Sequence, residues 1–303
     1  MQSATSADDR FHAPAEDHPL WSETSWYGFS VPARHLAGSV YPLFRPRLGV
    51  CSVAVHVWDD SACEPWRALY SRTQWHLPMP QGDLSACEAG GLSLECLEPL
   101  RRYRVRYRDG ELCALDLEYT GLFAPHAVGI SGGRGHLDQP CRVRGELVLR
   151  GERIAVDGFE MRDRSWHVRD DRRSTSASYS YGIASESEAF LAGALCDGDA
   201  GRIVAGFLWR DGSKRDLNGG TRRVLERRAG HPLRVAIEAV DTDGRRLEAL
   251  GRCTSRLANQ ATPGMFAWLS LTEWDCAGTR AIGEDQDVWS PDLLATAGQS
   301  SSE

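Results

Sequence analysis

From Trp21 to about residue 290, apolar and polar side chains alternate with a period of two. This is the spacing of strands that bury one face, and helical spacing at 3.6 residues is scarce. Residues 49–59, GVCSVAVHVWD, put Cys51, Val53, Val55 and Val57 on one face. Val50, Ser52, Ala54, His56 and Trp58 fall on the other. Residues 101–121 read as a hairpin in which Tyr103, Val105 and Tyr107 alternate with arginines, Asp109-Gly110 turns the chain, and Leu115, Leu117 and Tyr119 return on the same face. Similar hairpins are predicted over 141–161 around Gly151, and over 202–217 and 233–253 around Asp-Gly turns. A short helix is predicted over 61–72, with Ser61 as its cap and Pro65 weakening it. The pattern predicts an all-β chain of antiparallel barrels or sandwiches, with one continuous sheet as the alternative.

Each half of the chain holds enough strands to close a barrel, and the glycine-rich stretch GISGGRGH, residues 129–136, is the expected join. The expected division is therefore a flexible tail over 1–20, one barrel over 21–133, a second over 134–290, and a second tail over 291–303. A hydrophobic share of 42% supplies material for a sizeable core. The net charge of -7 argues against a nucleic-acid partner. No stretch approaches the roughly 20 apolar residues of a membrane span, and the N-terminal residues do not resemble a secretion signal. Nine scattered cysteines without a CxxC pair fit neither a zinc knuckle nor a thioredoxin motif, so a reduced, cytoplasmic protein is expected.

Glycine, lysine and metal chemistry find little support. GGRGH lacks the strand–loop–helix setting of a phosphate loop. A Schiff base would have to rest on Lys214, the only lysine, in the loop-like RDGSKRD. His136 and Asp138 have a spacing that puts both on one strand face, but two ligands do not make a metal site. No GxSxG elbow or HExxH appears, and neither a metal nor an organic cofactor is expected.

Two charged patches remain, GHLDQPCRVRG over 135–145 and DGFEMRDRSWHVRD over 157–170. In a strand, Glu160, Arg162 and Arg164 share one face, while Met161, Asp163 and Ser165 share the other. Neither face is apolar, and desolvating an unpaired ion is costly. An exposed edge strand with solvated charges satisfies this, and so does a strand lining a cavity with paired charges and Trp166 as one wall. In a partly dry cavity, burial raises a carboxyl pKa and a nearby arginine lowers it, which can hold the group near the working pH.

The same residues resemble a bacterial family whose signature reads G-H-Y-E-Q, a hairpin, then R-D-R-S-W-G. WYGFSVPARHLAGSVYPLFRPRLGVCSVAVHVWDD, residues 26–60, is similar to that family's opening strands. The resemblance extends over most of 21–290. Leu137 and Asp138 stand where the family has Tyr-Glu, and His167 stands where it has glycine. The family in turn resembles the lipocalin-like superfamily of AttH-type proteins, carotenoid 1,2-hydratases and fungal Diels–Alderases. That relation implies two lipocalin-like, or calycin, antiparallel β-barrels packed together, with an apolar pocket near their junction. It also implies cofactor-free hydration, dehydration, isomerisation, cyclisation or lysis of a hydrophobic molecule such as a terpenoid or polyketide. FEMRDRSW aligns with the hydratases' FHAWDWSR, keeping Asp163 but replacing a His and a Trp by Glu160 and Arg162, which argues against carotenoid hydration itself.

Two functions are carried forward. In an enzyme, a hydro-lyase or an isomerase or cyclase, Asp163 is the general acid or base with Glu160 as partner. His136 and Asp138 then form a second polar pair, and Arg162, Arg164, Gln139 and Trp166 contact the substrate. The alternative is a lipocalin-like carrier of a hydrophobic ligand without turnover. The same residues also fit an ion-pair network of purely structural role, and a homodimer is a candidate assembly.

Overall fold

The computed structural model describes residues 3–14, 17–131, 133–170 and 174–300. They form two units: the chain up to Val57 with Trp66–Arg169, and Trp58–Pro65 with the chain from Asp170 onward.

In the first unit the alternating segments become β1 (Trp21–Val31), β2 (Leu36–Arg45), β3 (Val50–Trp58), β4 (Tyr70–Pro78), β5 (Ala86–Ala89), β6 (Leu92–Glu98), β7 (Arg102–Asp109), β8 (Cys113–Gly121), β9 (His126–Ser131), β10 (Arg134–Leu149) and β11 (Glu152–Val168). They join in one antiparallel, nearly closed sheet ordered β4-β3-β2-β1-β11-β10-β8-β7-β6-β5, with β9 also paired to β10. The inward faces are those the alternation specified. Cys51, Val53, Val55 and Val57 meet Tyr103, Val105, Leu115, Leu117 and Tyr119 in one core. The 141–161 hairpin turns at Arg150-Gly151, both at positive φ (48° and 89°), a backbone that glycine adopts freely and that suits a two-residue hairpin.

The second unit contains β12 (Ser176–Ser185), β13 (Glu188–Asp197), β14 (Ala200–Arg210), β15 (Ser213–Arg228), β16 (His231–Asp241), β17 (Arg246–Thr262), β18 (Met265–Cys276) and β19 (Thr279–Trp289). Each pairs with its sequence neighbours and β12 pairs with β19, so this antiparallel barrel is closed and has no open edge. Its core mixes apolar residues with a buried Arg222 that grips Asp285 through two bonds (3.2 and 2.6 Å) and Asp287 at 3.0 Å. The chain is all-β, as the pattern predicts, with a single α-helix among the described residues, α1 (Pro291–Ser300).

Four expectations need correction. The division falls after Arg169 rather than near 133. The described part of GISGGRGH is the turn between β9 and β10, which pair with each other, so the glycines turn a hairpin and both motifs stay in the first unit. Within the expected tail over 1–20, Ser6–Asp9 is ordered, forming a 3-10 turn with Asp8 and Asp9 buried. At the other end, α1 occupies part of the expected 291–303 tail. The helix predicted over 61–72 shrinks to a 3-10 turn at Pro65–Arg67, because Tyr70 already pairs with Val57 and its hydroxyl meets that of Tyr107 at 2.6 Å.

Candidate active site on the β10–β11 hairpin

Both motifs lie in the middle of the first sheet, β11 between β1 and β10, and β10 between β11 and β8 with β9. The charged stretch is therefore not an edge strand. Register decides which of its residues meet. Asp138 stands opposite Asp163, and His136 opposite Ser165. On the flanking strands Trp26 stands opposite Asp163, and His126 opposite Asp138. Directly opposed residues project to the same face of a sheet. One face thus carries a row Trp26–Asp163–Asp138–His126, and beside it a row Thr24–Ser165–His136.

On this face His136 Nε2 and Asp138 Oδ1 are 2.7 Å apart. The Asp138 side chain is buried, while that of His136 keeps 34% of its exposure, enough to meet a ligand. Burial works against a charged His136, but the Asp138 carboxylate, with Asp163 behind it, outweighs burial and raises the imidazole to about 9. Asp163 is half-buried, with its backbone paired on both sides by β1 and β10. Desolvation pushes its carboxyl up to about 6, with His136 pulling it down and Asp138 pushing it further up. Two titratable groups side by side are thereby separated in pKa, one remaining an acid and the other becoming a base near neutrality. Arg169 reinforces the row by donating to Ser165 Oγ (2.8 Å) and Thr24 Oγ1 (3.2 Å).

The other face carries Arg162, Arg164, Gln139 and Trp166, all buried. The Gln139 amide nitrogen donates to Leu100 O (2.8 Å) and Phe123 O (2.7 Å). Its oxygen is thereby left to accept from Arg162 Nε at 2.8 Å. Arg162 Cζ lies over Tyr103, 3.7 Å from the ring centre. Arg164 donates to Glu23 and to the Arg10 carbonyl. Trp166 stacks on His12, with ring centres 3.9 Å apart and planes within 10°. The expectation of Trp166 as a ligand-facing wall gives way to a buried indole packed with Trp21 and Leu137. Glu160 is buried opposite Cys141 and is not among the groups that dominate the titration of Asp163. The hairpin therefore brings Asp163, His136 and Asp138 together and sends Arg162, Arg164, Gln139 and Trp166 to the opposite face.

Gly121 explains why the amide can sit there, since a Cβ at 121 would lie 2.1 Å from Gln139 Nε2. Gly121→Ala is expected to expel the amide, orphan the Arg162 Nε–H and the two carbonyls, and cost about 1–3 kcal/mol in urea unfolding. The strand runs straight through His167, where the family signature has glycine, and His167 Nδ1 donates to Val168 O at 2.8 Å. Burial, aided by Arg169, lowers His167 to about 4, so the ring is neutral at physiological pH. Among the described residues no three His, Cys, Asp or Glu side chains are grouped to hold a metal, and no helix is long and apolar enough to cross a membrane.

Residues 5–284 match the family described as a domain of unknown function, DUF7064. The chain belongs to that family. Comparison of the DUF7064 chain with curated proteins gives no match. Among solved structures it is similar to kievitone hydratase from Nectria haematococca, at 10% identity, TM-score 0.59 and 96% of each chain. It is also similar to a putative AttH from Nitrosomonas europaea, at 16% identity, TM-score 0.58, and 89% of this chain on 91% of that one. CghA with Sch210972 aligns at 11% identity and TM-score 0.51, covering 90% of this chain and 88% of that one. At such identities the likeness establishes the lipocalin-like fold of the DUF7064 chain, and its chemistry must be argued from its own residues.

Sequence reasoning missed Trp26, Thr24 and His126, which complete the Asp163 face, and Asp9, His12 and Glu23, which satisfy the opposite one. Trp26, Thr24 and Glu23 arrive through the β1–β11 pairing, between segments more than a hundred residues apart, which no local pattern announces.

Proposed function

We propose that this protein is a cofactor-free acid–base enzyme that adds water to, removes water from, or rearranges a hydrophobic small molecule at the Asp163–His136–Asp138 face. The observation that carries this reading is the geometry of one sheet face, where Asp163 stands opposite Asp138 and beside a His136 held 2.7 Å from Asp138, an arrangement that pushes Asp163 up to about 6 and His136 up to about 9. Between those values Asp163 is a carboxylate able to take a proton from carbon or from water. His136 is then an imidazolium whose partner Asp138 fixes the ring, and it can donate to an oxygen on which negative charge develops. Dehydration needs both roles: Asp163 removes a proton beside a carbonyl, His136 protonates the departing hydroxyl, and water leaves. Hydration is the reverse. Trp26 in the same row supplies apolar surface beside the base. The lipocalin-like fold is shared with a protein named as a hydratase, which supports the class.

The test is a screen of terpenoid, polyketide and prenylated phenolic compounds, read by mass for a change of one water or by chromatography for an isomer. Conversion by the wild type and none by Asp163→Asn, with ligand still bound, supports the enzyme. Retention of a ligand that the wild type never converts replaces this reading with a carrier.

A further inference from the structure

On the sheet face opposite Asp163, a buried set of donors converges on one carboxylate, and that carboxylate belongs to the N-terminal segment. Asp9 Oδ2 accepts from the Leu100 N–H at 2.6 Å. Tyr103 Oη donates to Asp9 Oδ1 and Oδ2 at 2.9 and 3.1 Å. The Cys96 thiol lies 3.8 Å away. Burial pushes Tyr103 well above its ordinary value and Cys96 up to about 11, so both keep their protons as donors. Arg162 completes the set imperfectly. Its Nη2 stands 3.6 Å from Asp9 Oδ1 and, among the described residues, has no hydrogen-bond partner, although the side chain is only 3% exposed. A buried guanidinium nitrogen left open beside a carboxylate is uncommon, because the planar fork normally closes on both oxygens.

We infer that this is a carboxylate-binding site for a small hydrophobic acid, with Asp9 as its intramolecular stand-in. A free acid has no chain holding it back and can close the gap to Arg162 Nη2 that Asp9 leaves. The room for such an acid is created by displacement. With Asp9 in place the space among Tyr27, Leu94, Tyr103 and Arg162 is about 10 Å³, no more than a single water needs. Immediately outside lies an open cleft of about 510 Å³ bordered by Ser6, Ala7, Asp9, Cys96 and Pro99. Lifting the Ser6–Asp9 turn joins the two, putting the donors at the base and Tyr27, Leu84 and Leu94 around the ligand's apolar part. Lifting exchanges the Asp9 bonds for those of the incoming carboxylate and gives up the Phe11 and His12 N–H bonds to Asp83 and Glu23, while the 3-10 turn keeps its own Thr5–Asp8 bonds. This site uses none of the Asp163 chemistry, so it stands or falls independently of the proposed reaction.

The test uses full-length protein with benzoate as probe, and acetate, phosphate and chloride at matched ionic strength. Asp9→Ala is expected to show a saturable rise in melting temperature with benzoate, at a concentration about tenfold or more below that needed by wild type, where the segment competes. In wild-type protein benzoate is expected to speed hydrogen exchange at amides 8–12 while slowing it at Leu100, the reverse of ordinary ligand protection. Asp9→Asn provides the same comparison if Asp9→Ala does not fold, since the carboxamide fills the space without the charge. Equal responses of wild type and both variants would overturn the inference. So would a response to phosphate or chloride matching that to benzoate, or slower exchange at amides 8–12 on binding.

Discussion

Arg164→Met is expected to destabilise the first unit by about 3–5 kcal/mol, because the side chain that remains, Glu23, is then a buried ion without its partner. Both side chains are almost inaccessible, 2% and 1% exposed, so water cannot take the place of the guanidinium. The Arg10 carbonyl loses its donor in the same change, and His12, 3.3 Å from Arg164 Nη2 and 3.1 Å from Glu23 Oε2, loses its setting against Trp166. Urea unfolding measures the loss. Arg164→Met combined with Glu23→Gln is expected to recover part of it, since two residues in contact do not act additively. Arg104→Ala, which breaks an exposed pair with Asp116 at 2.6 Å, is expected to leave the urea midpoint nearly unchanged, because water solvates both ions once they part. An Arg164→Met protein as stable as wild type would show that the RDRSW arginine is not structural.

Asp163→Asn is expected to leave the fold intact and lower turnover by about 10²–10⁴-fold, the usual loss when a positioned general base is removed. The carboxamide occupies the same volume and neither takes nor gives a proton. Its effect on stability runs opposite to that of Arg164→Met. Desolvation raises the Asp163 carboxyl to about 6, so the fold disfavours its charged form, and a neutral replacement is expected to match or exceed wild-type stability at pH 7. The two substitutions, one residue apart on opposite faces, separate a structural arginine from a chemical carboxylate. Turnover and urea midpoint, measured on both variants, read out the difference.

Much of this architecture is legible in the sequence because alternation is a local signal. The faces of β3, β7 and β8 follow directly from Val53, Val55, Val105 and Leu117, and the Asp-Gly turns set the hairpins. The separation of Asp163 from Arg162 and Arg164 is likewise implied by a period of two once the stretch is known to be a strand. What each face meets is not legible. Glu23 reaches Arg164 through a long-range pairing, and Asp9 and His12 lie in a polar segment with no periodicity at all. The same blindness misplaces the boundary between the units. Glycines 129–135 look like a linker by composition, yet Gly135 is there because a Cβ would lie 2.5 Å from the Trp166 ring, and the pairing of β9 with β10 is visible only in three dimensions.

The dependence of kcat/KM on pH, for any compound the wild type converts, bears most directly on the acid–base assignment. Asp163 works as a base and must lose its proton, so the rate is expected to rise through about 6. His136 works as an acid and must keep its proton, so the rate is expected to fall through about 9, the two limbs being the coupled titration of one site. A profile flat from about pH 5 to about pH 10, or one confined to the acid side of the lower limb, would contradict it.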